Sequence, residues 1–265
     1  MMLKSTPTTA GAFVLLHALL LNACSEAPAY DGGSAGAANL MPASGGSAPV
    51  PPGERPRNPA CTAPNGISNA PATIAEALTL INALPKPLTL PCFLQSLARP
   101  LAINATNSLF SLQPAQGLRS PRIFVFARSM VMSVVPAGDS ANFLEFGESR
   151  ADFRSLKAEL GFPVSAALPP SAPFADLLFN EQLSKCAVCH ANESAEATTT
   201  GVRLYVSGAI RPLPADKVAA ANLAQERVIC DPSAEPERCA MLDALFGWGP
   251  VIDADFDPEM PTFFR

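Results

Sequence analysis

The cysteines constrain this chain more than any other residue type, because each of the seven must be bonded, liganded or left as a thiol according to the compartment it reaches. The start of the chain sets that compartment. Residues 1–23 carry one basic residue, Lys4, followed by the apolar run AGAFVLLHALLLNA. Such a run is too short to cross a bilayer and has the charged start and apolar middle of a secretory signal. The remainder of the chain is therefore expected outside the reducing cytoplasm, where thiols oxidise.

The run ends in Leu21-Asn22-Ala23-Cys24, which resembles the bacterial lipobox. Cut there, the chain begins at a lipidated Cys24, with simple secretion as the alternative, and Ser25 in place of an aspartate points to the outer membrane. Two or more acyl chains are what stable anchoring requires, at about 0.8 kcal/mol per buried methylene. Residues 24–58 are then rich in Gly, Ala, Ser and Pro and nearly empty of large apolar side chains. Such a segment cannot offset its own chain entropy and reads as a tether, with a root-mean-square reach of roughly 30 Å. About 200 residues, 59–265, remain for one large or two small domains. The formal charge is −5 and the basic residues are scattered, so neither a nucleic-acid partner nor an electrostatic grip on anionic lipid is expected. The lipid is the only expected contact with the membrane.

With Cys24 assigned to lipid, and Cys186 and Cys189 set apart in a motif of their own, Cys61, Cys92, Cys230 and Cys239 are left. Four exported cysteines read as two disulfides. Local pairing, Cys61 with Cys92 and Cys230 with Cys239, is preferred to the two crossed arrangements, since each pair brackets one predicted helix or turn. Loop entropy gives these bonds roughly 3.5 and 2.5 kcal/mol.

Periodicity divides the rest. NAPATIAEALTLINALP sets Ile74, Leu78, Ile81 and Leu84 at helical spacing between Pro71 and Pro85. RIFVFA, MVMSVV, NFLEFGE and SLKAELGF, within residues 122–162, are apolar or alternating and rich in β-branched and aromatic residues. They predict an antiparallel meander of three or four strands. Prolines in AALPPSAPF predict a hinge at 166–174. After it, APFADLLFNEQLSKCAVCH predicts a helix capped by Ser171 with Pro173 in its first turn. VRLYV alternates like a strand, residues 215–229 read as a helix, and EPERCAMLDALFG as another stopped by Gly247. The expected class is α+β: an N-terminal helix plus antiparallel meander over 59–165, then a mainly helical half over 172–265.

Within that half, residues 183–193 read LSKCAVCHANE. On a helical turn Cys186, Cys189 and His190 share one face, because they lie three and four residues apart. Covalent attachment of haem needs this arrangement: two thiols to add to two vinyl groups, and an imidazole to reach the iron. The match to Cys-x-x-Cys-His resembles a monohaem c-type cytochrome, over residues 174–265 at most. The resemblance implies one haem c held at Cys186 and Cys189, His190 as proximal iron ligand, and a distal methionine. DPEMPTFF offers Met260, followed by Pro261, and Met241 is the other candidate. Since His17 leaves with the signal, ligation by two histidines of the mature chain is not expected, which leaves His/Met or an open site. A thioether raises the reduction potential, whereas an open site admits small ligands.

The function this implies is single-electron transfer with a redox protein partner, by an electron carrier and not a catalyst, anchored in the bacterial envelope. Other fates of the motif stay open at this level. Cys186 and Cys189 could join disulfides in a non-enzymatic envelope lipoprotein without haem. A thioredoxin-like redox pair or a zinc site formed with Cys230 and Cys239 is a further alternative. Hydrolases that use a histidine base are disfavoured, because His190 would have to serve both roles.

Overall fold

The structure is a computed structural model and describes residues 58–108, 119–180, 182–198 and 202–263. The expected signal, Cys24 and all but the last residue of the tether lie outside the described residues.

The N-terminal part builds as its periodicity requires. Thr73 accepts a hydrogen bond from the Glu76 amide at 3.2 Å and starts helix α1, Ile74–Ala83, as a threonine N-cap does. Its stripe of Ile74, Leu78 and Ile81, with Leu84 just beyond, is buried. A second capped helix, α2 (Leu90–Ser96), begins at Thr89 and carries Cys92, which is bonded to Cys61. Five strands follow: β1 Leu101–Thr106, β2 Arg122–Ala127, β3 Met130–Val134, β4 Phe143–Arg150 and β5 Arg154–Gly161. Each is antiparallel to the next.

The C-terminal half departs from the sequence expectation. It is not mainly helical. It supplies β6 (Ser194–Ala197), β7 (Arg203–Gly208) and β8 (Val251–Asp253). The result is one eight-stranded mixed sheet in the order β6-β7-β5-β4-β3-β2-β1-β8. Only β8 runs parallel to its neighbour, β1. Strands from before and after the expected hinge therefore share one sheet, with β7 beside β5 and β8 beside β1. The other two helices of seven residues or more among the described residues are α3 (Ala220–Ile229) and α4 (Pro236–Phe246).

The helix expected across residues 172–190 does not form. One turn at Ala172–Ala175 and a 3-10 turn at Lys185–Val188 are its only helical parts among the described residues, and Ser171 makes no side-chain capping bond. The cause is local competition for backbone donors. Asn180 Oδ1 accepts from the amides of Gln182 and Leu183, both at 2.9 Å. Leu178 then bridges to Ser184 across the loop so formed. Donors that a helix would use are committed elsewhere.

Strand alternation separates two faces of the sheet. Ile103, Val125, Met132, Phe146 and Leu156 share one face with the core formed by α1, α2, α3 and α4. The opposite face carries Asn104, Phe124, Ser133, Glu145, Ser155 and Lys157, and it holds the site described below. Arg99 joins the helical layer to the entry of β1, donating to the carbonyls of Leu245 and Ala244 at 2.6 and 2.7 Å at the end of α4.

The second disulfide joins Cys230 to Cys239. The bonds close sequence separations of 31 and 9 residues, so the longer loop should contribute more. Replacing Cys61 and Cys92 by alanine is expected to lower the unfolding free energy by about 3.5 kcal/mol, and replacing Cys230 and Cys239 by about 2.5 kcal/mol. Urea titration of the two double variants checks the order, and a larger loss from the shorter loop would refute it.

Candidate functional site

The second face of the sheet floors a cavity of about 1100 Å³, at the upper end of the range for small-molecule sites. Its floor runs from Lys157 and Ser155 on β5, past Glu145 on β4 and Ser133 on β3, to Phe124 on β2. The motif turn, the stretch 209–213 after β7, the chain from Phe256 to Phe263 and the turn between β4 and β5 around Asp152 all border it. At the far end the Phe256 ring stands edge-on to Phe124 and Phe126, with centroids 5.1 and 4.9 Å away. At the near end the floor is polar, with Lys157 and Ser155 both buried.

The motif turn is held from several sides. Ser184 accepts from the Cys186 amide at 3.0 Å and starts the turn. The Glu193 carboxylate accepts from the Ser184 amide at 2.7 Å and from its hydroxyl at 2.5 Å. The segment is thereby closed on itself, from just before the first cysteine to just after the histidine. The Lys185 amide donates to Leu177 at 2.8 Å, and the Lys185 ammonium meets Glu159 on β5 at 3.0 Å. The amides of Cys189 and His190 both donate to the Cys186 carbonyl, at 3.2 and 2.9 Å. Cys186, Cys189 and His190 thus occupy a single turn, and all three line the cavity.

The strongest contact of the imidazole is to backbone. His190 Nδ1 lies 2.7 Å from the carbonyl oxygen of Gly208, at the end of β7. A carbonyl only accepts, so Nδ1 carries the proton and Nε2 holds the lone pair. A metal-ligating histidine is commonly fixed in this tautomer by the same kind of bond. Residue 208 is closely packed: a Cβ there would come within 3.2 Å of the Ala191 carbonyl oxygen. Glycine lets the strand end and the turn lie this near.

Lys157 Nζ donates to Ser155 Oγ at 2.7 Å and lies 3.4 Å from His190 Nδ1. With Nδ1 already donating to Gly208, the second contact is proximity between two donors, not a bond. Burial, with a smaller contribution from Arg122, lowers the Lys157 pKa to about 8 against the opposing pull of Cys186 and the carboxylates of Glu145 and Glu193. Burial and the nearby ammonium lower the His190 pKa to about 3. The imidazole is therefore neutral at neutral pH, as a ligand must be. Burial raises the Cys186 pKa, with Ser184 and Lys157 acting against it, so this thiol stays protonated at neutral pH and is a poor redox nucleophile. Across β7, Tyr205 and Ser207 lie opposite Lys157 and Ser155. Their buried hydroxyls find no partner among the described residues.

The two candidate methionines separate cleanly. Met260 lines the cavity together with the motif. Its segment is held by Arg211, whose side chain donates to the carbonyls of Met260 and Pro258, each at 2.9 Å. Met241 is buried in the helical layer, in the core on the other side of the sheet. Cys230 and Cys239 are bonded to each other and supply no thiolates to the motif, while Cys186 and Cys189 take part in neither disulfide. Among the described residues no three of His, Cys, Asp and Glu converge as a metal-binding group, so a site formed by the four cysteines is not present there.

These residues fit a covalently held haem. Two thiols share a turn, the neighbouring imidazole is in the ligating tautomer, and a thioether borders the same cavity. Lys157, Ser155, Gly208 and Glu193 are parts of the site that sequence reasoning missed. Lys157 alternates with Leu156 and Ala158, which reads as a solvent-facing position. The only signal against that reading is its register beside the motif, which the sequence does not contain.

Comparison with protein-family models, with curated proteins and with solved structures returns no match to this chain. The functional reading therefore rests on the geometry and on the motif.

A neutral buried imidazole links stability to pH. In the unfolded chain His190 takes a proton near pH 6.5, and in the folded haem-free chain only near 3. Between these values the unfolded state binds more protons, so stability is complete above about 6.5 and falls as pH drops toward 3. Urea midpoints of the haem-free protein at pH 7 and pH 4.5 are expected to differ less in His190→Gln than in the unsubstituted chain. Equal differences would refute the assignment.

Proposed function

We propose that this chain is an exported, lipid-anchored c-type cytochrome-like protein that binds one covalent haem and passes single electrons to or from a redox protein partner. One observation carries the reading: a single cavity brings together Cys186, Cys189, His190 and, from the far end of the chain, Met260. The haem would supply a one-electron couple. The chain would hold it by adding each S–H of Cys186 and Cys189 across a vinyl group, which leaves no electrons to balance. With Nδ1–H held by Gly208, Nε2 of His190 would be the nitrogen that holds the iron. Met260 is the distal candidate, placed at the cavity by the Arg211 bonds, whereas Met241 sits in the opposite layer.

Transfer of single electrons needs a cofactor edge close to the surface, and the motif turn is at the surface. Val188, between the two cysteines, is 69% exposed, and Leu178 and Phe179 beside the turn are 54% and 59% exposed. Val188 and Phe179 also border the cavity, so apolar surface lies beside the motif where a partner could approach. The lipobox-like Cys24 and the tether that follows give the reading its location: the outer membrane, with the folded part held clear of the headgroups.

Co-expression of the full chain with the c-type haem maturation machinery tests this. Intact mass of the membrane-derived protein should show one haem and the acyl chains, and the reduced-minus-oxidised spectrum should show c-type bands. In Met260→Ala the weak far-red band of a methionine-to-iron bond should vanish, and in Met241→Ala it should persist. A colourless product whose mass lacks haem, with Cys186 recovered in a disulfide, would instead establish a disulfide-stabilised envelope lipoprotein.

A further inference from the structure

The least explained group in the site is Lys157. Its side chain lies on the inner face of β5, and the residue is only 7% exposed. Burying an ammonium is costly unless a carboxylate is bonded to it, and none of the described residues supplies one: its contacts among them are Ser155 Oγ at 2.7 Å and His190 Nδ1 at 3.4 Å. The neighbouring strands offer no acid opposite it, since Lys157 pairs with Gly147 on β4 and Tyr205 on β7. Cys186, Glu145 and Glu193 favour its charge and Arg122 opposes it, through space and without a bond. Lys185, by contrast, has its carboxylate, Glu159 on the same strand as Lys157, at 3.0 Å. A cation without an ion pair among the described residues, set against the imidazole of the motif, is poorly explained as a stabilising device. It is well placed to act on charge that appears at His190.

We propose that Lys157 is a positioning residue of the haem site that raises the reduction potential, its ammonium beside His190 disfavouring the extra positive charge of the ferric state. The inference rests on the haem reading given above. Two opposed influences meet at one ring nitrogen. The Gly208 carbonyl draws on Nδ1–H, which makes the imidazole a stronger donor and favours ferric iron. The ammonium at 3.4 Å opposes positive charge on the imidazole and its metal, and favours ferrous iron. Because a full charge in a buried site outweighs the dipole of one carbonyl, the net effect of Lys157 is toward the ferrous form.

The test is redox titration at pH 6 of the haem-loaded full chain, unsubstituted and as Lys157→Met and Lys157→Arg. Methionine keeps the apolar stem and removes the charge, while arginine keeps the charge. The Lys157→Met potential should fall by at least about tenfold in the ferric-to-ferrous equilibrium, ~59 mV for a one-electron couple, with Lys157→Arg staying near the unsubstituted value. If Lys157→Met does not accumulate, Lys157→Gln reads the same shift. An unchanged or higher potential in the neutral variant would overturn the proposal, as would an equal fall in Lys157→Arg. Loss of haem from both neutral variants but not from Lys157→Arg would also overturn it, by making the lysine structural. A colourless unsubstituted chain is a separate result, because it refutes the haem reading itself.

Discussion

The pairing of β5 with β7 is the constraint on which the site depends. Its register sets Arg154 opposite Gly208 and Lys157 opposite Tyr205. That places the Gly208 carbonyl under the imidazole of a turn lying between the two strands in sequence. A slip of one residue would exchange the faces of β7, turning Val206 out of the core and breaking the geometry at Gly208. The same contact is supported from the side: one Arg154 nitrogen donates to the Val206 carbonyl at 2.8 Å, to the Asn192 carbonyl at 3.0 Å and to Ser194 Oγ at 2.7 Å. Strand, turn and the start of β6 are thus tied to one guanidinium. Asn192 itself has a φ of 57°, a left-handed conformation that asparagine tolerates better than most residues, and it lets the chain reverse straight after the histidine.

A sheet with both faces covered must place polar strand positions somewhere. Here the helical layer takes one face, and the positions that in an open sheet would meet water are enclosed by the motif turn and the C-terminal segment. Arg122, Ser133 and Glu145 meet this by bonding across β2, β3 and β4, the Arg122–Glu145 ion pair included, and Arg122 also lies 4.9 Å from the Phe124 ring centroid. At the β5 and β7 end the same solution is not used. Lys157, Tyr205 and Ser207 are buried, and among the described residues the Tyr205 and Ser207 hydroxyls have no partner. Gln95 Nε2, in the helical layer, is likewise buried without a partner among the described residues, so such groups are not confined to this face.

How far the sequence could be read follows from the range of the forces involved. The stripe of α1 and the apolar, alternating strands between residues 122 and 162 are local patterns, and local patterns survive in a single sequence. The pairing of Cys61 with Cys92 and Cys230 with Cys239 could be anticipated because each loop is short. The C-terminal half was misread because its apolar residues near 174–183 suggest a helix, while Asn180 and Ser184 take up the backbone donors that a helix needs. β8, only Val251–Asp253, exists because β1 offers it an edge, which no periodicity in three residues can announce. The site was legible to the same extent. Cys186, Cys189 and His190 fall within five residues and could be named, as could Met260 as one of two candidates, but Lys157 and Gly208 join them only through sheet register.

That path also explains why two methionines of similar chemistry differ in what they can do. Met241 lies in α4, where Leu242 and Leu245 face the same core, and its thioether is one apolar group among many. Met260 lies beyond β8, in a segment with no regular structure of its own. Segments of this kind are usually free to vary, yet this one is fixed by backbone acceptors: Arg211 gives its amide to the Pro261 carbonyl at 2.9 Å and its guanidinium to Met260 and Pro258. Because Arg211 follows β7 by only three residues, the register that sets Gly208 under His190 also sets where Met260 is held. Both sides of the cavity are therefore referred to the same strand, which is a stricter requirement than either packing or the motif alone would impose.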